Sequence, residues 1–141
     1  MAVGAVMATS VLAQDGKAAF EKRRGTMKDI SRAFYTGIGR VVKGRAEYGP
    51  DTAVAAETLA RLTATIPTLF PPGSEAPESR MNPAIMTAPE KVTQLTAALQ
   101  ATMPNLIDAV KSGDKARIAA AYETTNNACE ACHTVYRAKE Q

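Results

Sequence analysis

The amino-acid sequence predicts an all-α protein, an antiparallel up-down-up-down four-helix bundle. Apolar residues recur at helical spacing in four consecutive segments, and clusters of Gly and Pro separate these segments. No segment shows the alternation of a half-buried strand. Four helices with short links account for a chain of 141 residues, and a hydrophobic content of 45% is enough for one core. Aromatic residues make up only 5%, with no Trp, which argues against an aromatic-rich β-sandwich.

Residues 1–13 form a short apolar leader. They carry no charged side chain and end in Val11-Leu12-Ala13, which is similar to an apolar h-region followed by a cleavage site. A basic n-region is missing, and a buried N-terminal helix or a frayed tail is the alternative. We expect a signal peptide over residues 1–13 and a mature single domain over residues 14–141, exported to a bacterial periplasm. No apolar run approaches the roughly 20 residues of a membrane-spanning helix.

The first predicted helix covers about residues 15–43. Its apolar face follows the seven-residue repeat of a bundle seam and consists of Phe20, Met27, Ile30, Phe34, Ile38 and Val41. Gly37 and Gly39 each weaken the second half by about 1 kcal/mol. Either packing compensates for these glycines or the helix bends there.

The second predicted helix opens at Asp51 or Thr52, because both residue types are good N-caps, and ends before Pro71. Its apolar face consists of Leu59, Leu62, Ile66 and Leu69. The stretch from about Phe70 to Thr87 contains four Pro residues. It is predicted to be a loop, because proline disrupts a helix interior.

The third predicted helix begins near Pro89, since proline suits the first helical turn, and we expect Pro104 to kink it. Ser112-Gly113-Asp114 then ends this helix and starts the fourth, with Gly at a C-terminal cap and Asp at an N-cap. The fourth helix runs to about Lys139. Its apolar face consists of Ile118, Tyr122, Thr125, Cys129, Cys132 and Tyr136.

The chemistry of the chain is concentrated in Cys129-Glu130-Ala131-Cys132-His133. C-x-x-C-H is the attachment motif of c-type haem. Two thiols three residues apart on a helix can form thioethers with the two vinyl groups of one haem, and the adjacent His supplies an axial nitrogen to iron. His133 is the only His in the chain. The motif therefore predicts one covalent haem c within the bundle, attached at Cys129 and Cys132 with its iron on His133.

Two other interpretations of the motif are weaker. A redox-active C-x-x-C pair belongs in a βαβ context, and no strand is predicted. A zinc site would lack a fourth ligand. Only eight residues follow His133, so a second axial ligand must come from upstream or be absent. That position excludes the small cytochromes c with an N-terminal motif and a downstream Met.

The sequence resembles the class II cytochromes c, which comprise the cytochromes c prime and the low-spin c-556 type. The resemblance covers essentially the whole mature chain and rests on C-x-x-C-H followed by Tyr136-Arg137, with support from Arg23-x-x-x-Met27-Lys28, Val42-Lys43-Gly44 before Tyr48, and Leu69-Phe70-Pro71-Pro72-Gly73-Ser74. It implies a four-helix-bundle haem protein. This sequence departs from the family pattern at positions outside the haem motif, and these departures leave open which subfamily it belongs to.

The second axial position separates two functions. Met27 lies centrally on the apolar face of the first helix, and the resemblance implies that it occupies the position of the iron ligand in low-spin members. A Met at helical spacing is also ordinary core packing. Met81 and Met86 lie in the Pro-rich loop, where we expect poor anchoring, and Met103 neighbours Pro104.

We predict an electron-transfer protein with His133 and Met27 on the iron. The alternative is a five-coordinate, cytochrome c prime-like protein that binds NO or CO. An enzyme is less favoured, because the chain offers no second His or paired acid for peroxide chemistry.

Two arginines are predicted to surround the haem. Arg23 lies one turn before Met27 on the same face, and a haem propionate is its natural partner. The alternative is that its side chain extends to solvent at the bundle end. The resemblance implies that Arg137, one turn after His133, lies near the proximal imidazole. The alternative for Arg137 is a solvated side chain near the C-terminus.

Basic residues are concentrated in the first helix. The range from Lys17 to Arg45 holds nine basic and two acidic residues, a net of +7 in a chain of net charge +3. Such a helix can steer an acidic redox partner protein, although solvated faces also carry this kind of charge. The overall charge is too low for a dedicated nucleic-acid binder. We expect redox partners, with no nucleic acid and no membrane span, and both a monomer and a homodimer remain open.

Overall fold

The computed structural model describes the backbone of residues 6–138 and the side chains of residues 16–138. The first helix begins with α1 (Val6–Ser31), earlier than the predicted start near residue 15. No proline or turn sequence interrupts residues 6–15, so the helical backbone continues through them. The start of the predicted signal peptide, residues 1–5, and the chain end after residue 138 lie outside the described residues.

The first helix contains a wide turn. After α1 the chain forms a π-helical segment, Arg32–Ile38, and then the short helix α2 (Gly39–Val42). A Cβ atom on Gly37 would lie 2.5 Å from the Cβ of Ala55, and one on Gly39 would lie 2.7 Å from the hydroxyl of Tyr122. Close packing of neighbouring helices against both glycines therefore compensates for their low helix propensity, as the sequence required.

The second long helix is α3 (Pro50–Ala64), followed by a 3₁₀ turn over Ile66–Leu69. It starts before the predicted caps at Asp51 and Thr52. The fixed φ of Pro50 suits the first helical position, so Gly49 takes the N-cap position and Thr52 lies inside the helix. The Thr52 hydroxyl accepts a hydrogen bond from the Gly49 N–H at 3.3 Å.

The remaining helices are α4 (Pro89–Ser112) and α5 (Lys115–Tyr136). α4 continues through Pro104, so the proline does not divide it. Gly113 adopts a φ of +67°, and the Asp114 carboxylate accepts hydrogen bonds from the first N–H groups of α5, as predicted. α5 ends earlier than predicted, because residues 137 and 138 are extended and pair with the linker between α3 and α4.

That linker, residues 70–88, was predicted to be a loop. It is largely irregular and contains one short 3₁₀ helix, Pro83–Thr87, which Asn82 caps by accepting a hydrogen bond from the Ala84 N–H. Pro83 stands at the first position of this 3₁₀ helix, where the fixed φ of proline is favourable, as it is for Pro50 in α3. The Pro-rich composition therefore excluded a long helix but not a short one.

The helices form a closed, antiparallel bundle, which confirms the predicted fold class. α4 packs between α3 and α5, and the first helix contacts α3 and α5 on the opposite side. The fully buried side chains include Phe34, Ile38, Leu59, Leu106 and Ile118. They come from all four sides of the bundle, so one hydrophobic core joins the four helices. None of the helices in the described part of the chain is long and apolar enough to span a membrane.

The glycine packing gives a test of the first helix. Gly37→Ala should lower the free energy of unfolding by about 1–3 kcal/mol, because the new methyl group overlaps Ala55. Gly25→Ala is the matched control. Nothing lies within 4 Å of its new methyl group, so it should stabilise the helix by about 1 kcal/mol. Urea unfolding of the haem-loaded protein measures both values, and equal stabilisation by the two variants would contradict this packing.

Candidate haem site

The C-x-x-C-H motif lies in the last turns of α5 and faces a cavity. Cys129, Cys132 and His133 are each half-buried, and all three line the same cavity of about 450 Å³. The cavity lies between the first helix, the linker, α4 and α5. The two thiols are free, so no disulfide joins them.

The cavity walls are mainly apolar. The first helix, the linker, the 3₁₀ turn after α3, and α4 contribute Phe20, Met27, Ile30, Phe34, Ile66, Phe70, Ile85, Val92, Leu95 and Leu99. Phe34 is fixed in this wall by stacking on Tyr122 of α5, with ring centroids 4.2 Å apart and planes 13° apart. An apolar recess of this volume that presents two thiols and one imidazole from a single helix fits a covalently attached porphyrin.

The environment of the motif favours neutral groups. Burial, with help from the Glu130 charge, raises the pKa of the Cys129 thiol to about 11, and burial also raises the pKa of Cys132. Redox-active C-x-x-C pairs instead have lowered thiol pKa values. Burial and then the nearby Arg137 charge lower the pKa of His133, so its imidazole is neutral and can offer a nitrogen lone pair to iron. No group of three or more His, Cys, Asp or Glu within the described residues is arranged to hold a free metal ion.

Met27 lies in the wall of the cavity, and its role as an iron ligand stays a prediction. It is half-buried on α1 and lines the same cavity as His133, which comes from α5. The Met27 thioether and the His133 imidazole are therefore both positioned by helices. Met103, by contrast, is only 3% exposed and belongs to the packed core.

Met81 corrects one expectation of the sequence analysis. It lines the cavity, and its backbone is well anchored, although poor anchoring was predicted. Met81 forms an antiparallel bridge with Arg137, and its N–H donates to the Ser79 hydroxyl at 3.1 Å. The extended chain after α5 supplies the hydrogen-bond partners, and no local sequence signal of the linker reveals them. Met86 does not line the cavity; its sulfur accepts a hydrogen bond from the Ser74 hydroxyl at 3.7 Å.

The two predicted arginines lie at the cavity in different environments. Arg23 is only 6% exposed, so its side chain does not extend to solvent, and its guanidinium bonds to the backbone and side chains of the linker region. Burial lowers the pKa of Arg23, and the Glu75 charge opposes this shift. Arg137 is exposed and lies close enough for its charge to act on His133. It has left the helix, with an extended backbone at the C-cap position.

Several residues of this site were not predicted from the sequence, among them Tyr35 and Arg80, and Met81 was not expected to reach it. Tyr35 lines the cavity beside Phe34, and both residues belong to the π-helical segment. Arg80 and Met81 reach it only through pairing of the linker with the end of α5. A glycine pair inside a helix was the one sequence signal for the irregular turn. No local pattern signalled the linker residues.

Comparisons with known proteins identify relatives of this chain. A family model described as "Cytochrome C'" matches residues 18–137. The chain is 35% identical over 121 residues to "Cytochrome c-556" of Agrobacterium tumefaciens (strain B2A), covering 85% of this chain and 97% of that protein. It is 34% identical over 120 residues to "Cytochrome c'" of Alcaligenes xylosoxydans xylosoxydans, covering 84% of this chain and 93% of that protein.

Solved structures show the same architecture. A ferrous variant of cytochrome c prime from Alcaligenes xylosoxidans with bound NO superimposes with a TM-score of 0.79 at 27% identity, covering 89% of this chain and 98% of that chain. A carbon monoxide-bound variant of the same protein gives a TM-score of 0.78 at 28% identity, covering 88% and 97%. The chain therefore belongs to the class II cytochrome c family, the four-helix-bundle cytochromes with one covalent haem c and its iron.

Proposed function

We propose that this protein is an exported electron carrier whose haem is attached to Cys129 and Cys132, with His133 and Met27 as axial ligands. The observation that carries the proposal is that Met27 and His133 line one cavity from two different helices. A sulfur on a helix is held more firmly than a sulfur on a loop. Metal ligation requires the ligand atom to be held in a precise position. When bound, the haem supplies an iron that cycles between the ferric and ferrous states.

The side chains around the site tune and insulate it. The Met27 thioether is a soft donor, which favours the reduced state and so raises the reduction potential. The apolar walls limit the access of water to the site, and exclusion of water disfavours the more highly charged ferric form. Electron transfer needs no catalytic side chain, and none is assigned.

A second candidate function is the binding of NO or CO at a five-coordinate iron. Two of the solved structures most like this chain are described as NO-bound and carbon monoxide-bound forms of cytochrome c prime. The apolar wall around Met27 and Phe34 would suit a small uncharged ligand as well as a thioether. In this alternative, Met27 packs beside the ligand and does not bind iron.

The proposed export of this protein is supported by the place where covalent haem is attached in cells. Covalent haem is attached to C-x-x-C-H motifs outside the cytoplasm, so residues 1–13 are proposed to be a signal peptide and residues 14–141 the mature domain. The compartment is then the periplasm. Attachment through Cys129 and Cys132 belongs to the same maturation step.

The rim of the cavity is basic and is proposed as the docking region for an acidic redox partner. Arg24 and Lys28 of α1 and Arg137 after α5 are exposed and line the cavity, and Glu130 is the one acidic residue among its lining. Positive charge beside a redox centre attracts acidic surfaces and accelerates encounter. Haem propionates at this rim would neutralise part of the charge.

Removal of the Met27 sulfur tests the distal ligand. The wild-type protein should be low-spin in both oxidation states and should bind CO slowly, because the thioether must leave first. Met27→Ala should give high-spin iron and bind CO at least tenfold faster in stopped-flow measurements. Met81→Ala is the matched control, since Met81 lines the same cavity, and it should remain low-spin. A wild-type protein that is already high-spin and takes up CO at once would establish the second candidate function.

One intact-mass measurement tests maturation. Protein purified from the periplasm and denatured should have the mass of residues 14–141 plus one haem, with Gln14 or its cyclised form at the N-terminus. The double variant Cys129→Ala, Cys132→Ala should lack the haem mass and fold poorly. A wild-type mass that includes Met1 would contradict cleavage, and haem lost on acid-acetone extraction would contradict thioether attachment.

Charge reversal tests the docking region with ferricyanide, a small anionic oxidant. At low ionic strength, Lys28→Glu should slow oxidation of the ferrous protein several-fold, because Lys28 lines the cavity. Lys43→Glu changes the net charge equally at an exposed residue that does not line it, and should have a smaller effect. High salt should abolish the difference. Equal slowing by both variants would show that net charge matters and the rim does not.

A further inference from the structure

The linker of residues 70–88 forms a wall of the haem cavity although most of it lacks regular structure. Five cavity-lining residues belong to it, namely Phe70, Ser79, Arg80, Met81 and Ile85. Connections of this length inside a compact domain are uncommon unless they have a role of their own. A wall needs a fixed backbone, so the contacts that hold the linker determine the shape of the cavity.

One anchor of the linker is the end of α5. The Asn82 N–H donates to the Tyr136 carbonyl at 2.7 Å, and the Ala138 N–H donates to the Arg80 carbonyl at 2.8 Å. These bonds hold the second half of the linker beside the motif. They involve backbone atoms only and therefore do not depend on the identity of a side chain.

The other anchor is the side chain of Arg23. One terminal nitrogen (Nη1) donates to the Leu69 carbonyl at 3.1 Å and to the Ser74 hydroxyl at 3.0 Å. The other (Nη2) donates to the Ser74 carbonyl at 2.8 Å. The guanidinium carbon also lies 5.6 Å from the centroid of the Phe70 ring, within the range of a cation–π contact.

The burial of this cluster is close to complete. Arg23 is 6% exposed and Ser74 is 2% exposed. A buried guanidinium is costly unless its N–H groups are bonded. Here Leu69, the last residue of the 3₁₀ turn, supplies one carbonyl, and Ser74 of the linker supplies a carbonyl and a hydroxyl. The linker also lies directly on α1 two turns earlier, where a Cβ on Gly16 would lie 2.6 Å from the Glu75 carbonyl oxygen.

We propose that Arg23 is a positioning residue that fixes the linker as a wall of the haem cavity and so limits the access of water to the haem. Only the planar fork of arginine can serve both residues 69 and 74 while lying over Phe70; a lysine offers a single point of attachment. This role is distinct from the propionate contact expected from the sequence. It depends on a haem in this cavity but not on Met27 as a ligand, so it applies to both candidate functions.

Hydrogen exchange of the haem-loaded protein tests the proposal. In Arg23→Lys, amide exchange in residues 70–76 should accelerate at least tenfold, while exchange in α4 stays unchanged. Arg24→Lys is the matched control, because Arg24 is the exposed neighbour on the cavity rim, and its linker should exchange at the wild-type rate. Ser74→Ala should also accelerate exchange in this segment. The double variant Arg23→Lys, Ser74→Ala should exceed Arg23→Lys only slightly, since both changes break one cluster.

The midpoint potential separates positioning from simple structural support. Opening the linker lets water reach the haem and stabilises the ferric form, so Arg23→Lys should have a lower midpoint potential than Arg24→Lys. Linker exchange at the wild-type rate in Arg23→Lys would overturn the proposal, and a changed haem spectrum in that case would assign Arg23 to the haem itself. Faster exchange with an unchanged potential would also overturn it. If Arg23→Lys does not fold, Ser74→Ala decides by the same two measurements.

Discussion

The space that the bundle leaves beside the C-x-x-C-H motif is the constraint on which the rest of the structure depends. A covalent haem held by the last turns of α5 would need this space, so the side chains cannot pack to full density there. Apolar walls around a space of about 450 Å³ would otherwise be exposed to water, which is unfavourable. A haem in this space would bury these walls and extend the hydrophobic core. The side chains at Ile38, Leu106 and Ile118 complete this core in the closed part of the bundle.

An opening at one end of the bundle explains the irregular elements near it. The first helix widens into a π-helical turn at Arg32–Ile38, and Phe34 and Tyr35 of this turn both line the cavity. The linker then covers a side that no helix covers, and it is bound to α1 through Arg23 and to α5 through residues 80–82. Departures from regular structure at functional sites are common, because a site has to interrupt regular packing.

Much of this arrangement could be predicted from the sequence, because periodicity and capping are local signals. The four helices, the Gly113–Asp114 junction and the grouping of the haem motif on α5 all follow from residue spacing. The path of the linker could not be predicted, because a Pro-rich segment has no period and its partners are distant in the chain. Arg23 bonds to residues 46 and 51 positions away, and the pairing partners of Met81 lie after α5. For the same reason Met81 was wrongly expected to be poorly anchored.

Two methionine side chains line one cavity, so the function depends on where the cavity walls hold each sulfur. Met27 and Met81 both line the space around the motif, and soft donors of the same kind differ only in how firmly they are held and in where they lie. Met27 is carried by α1, which extends for several turns before it and passes into the π-helical segment about one turn after it. Met81 is held by a short backbone pairing of residues 80–82 with residues 136–138. The continuous hydrogen bonds of a helix restrain the Met27 backbone more firmly than one backbone bridge restrains Met81. The selection of an electron carrier or a gas-binding protein within one fold then depends on whether the first helix brings its Met close enough to the iron.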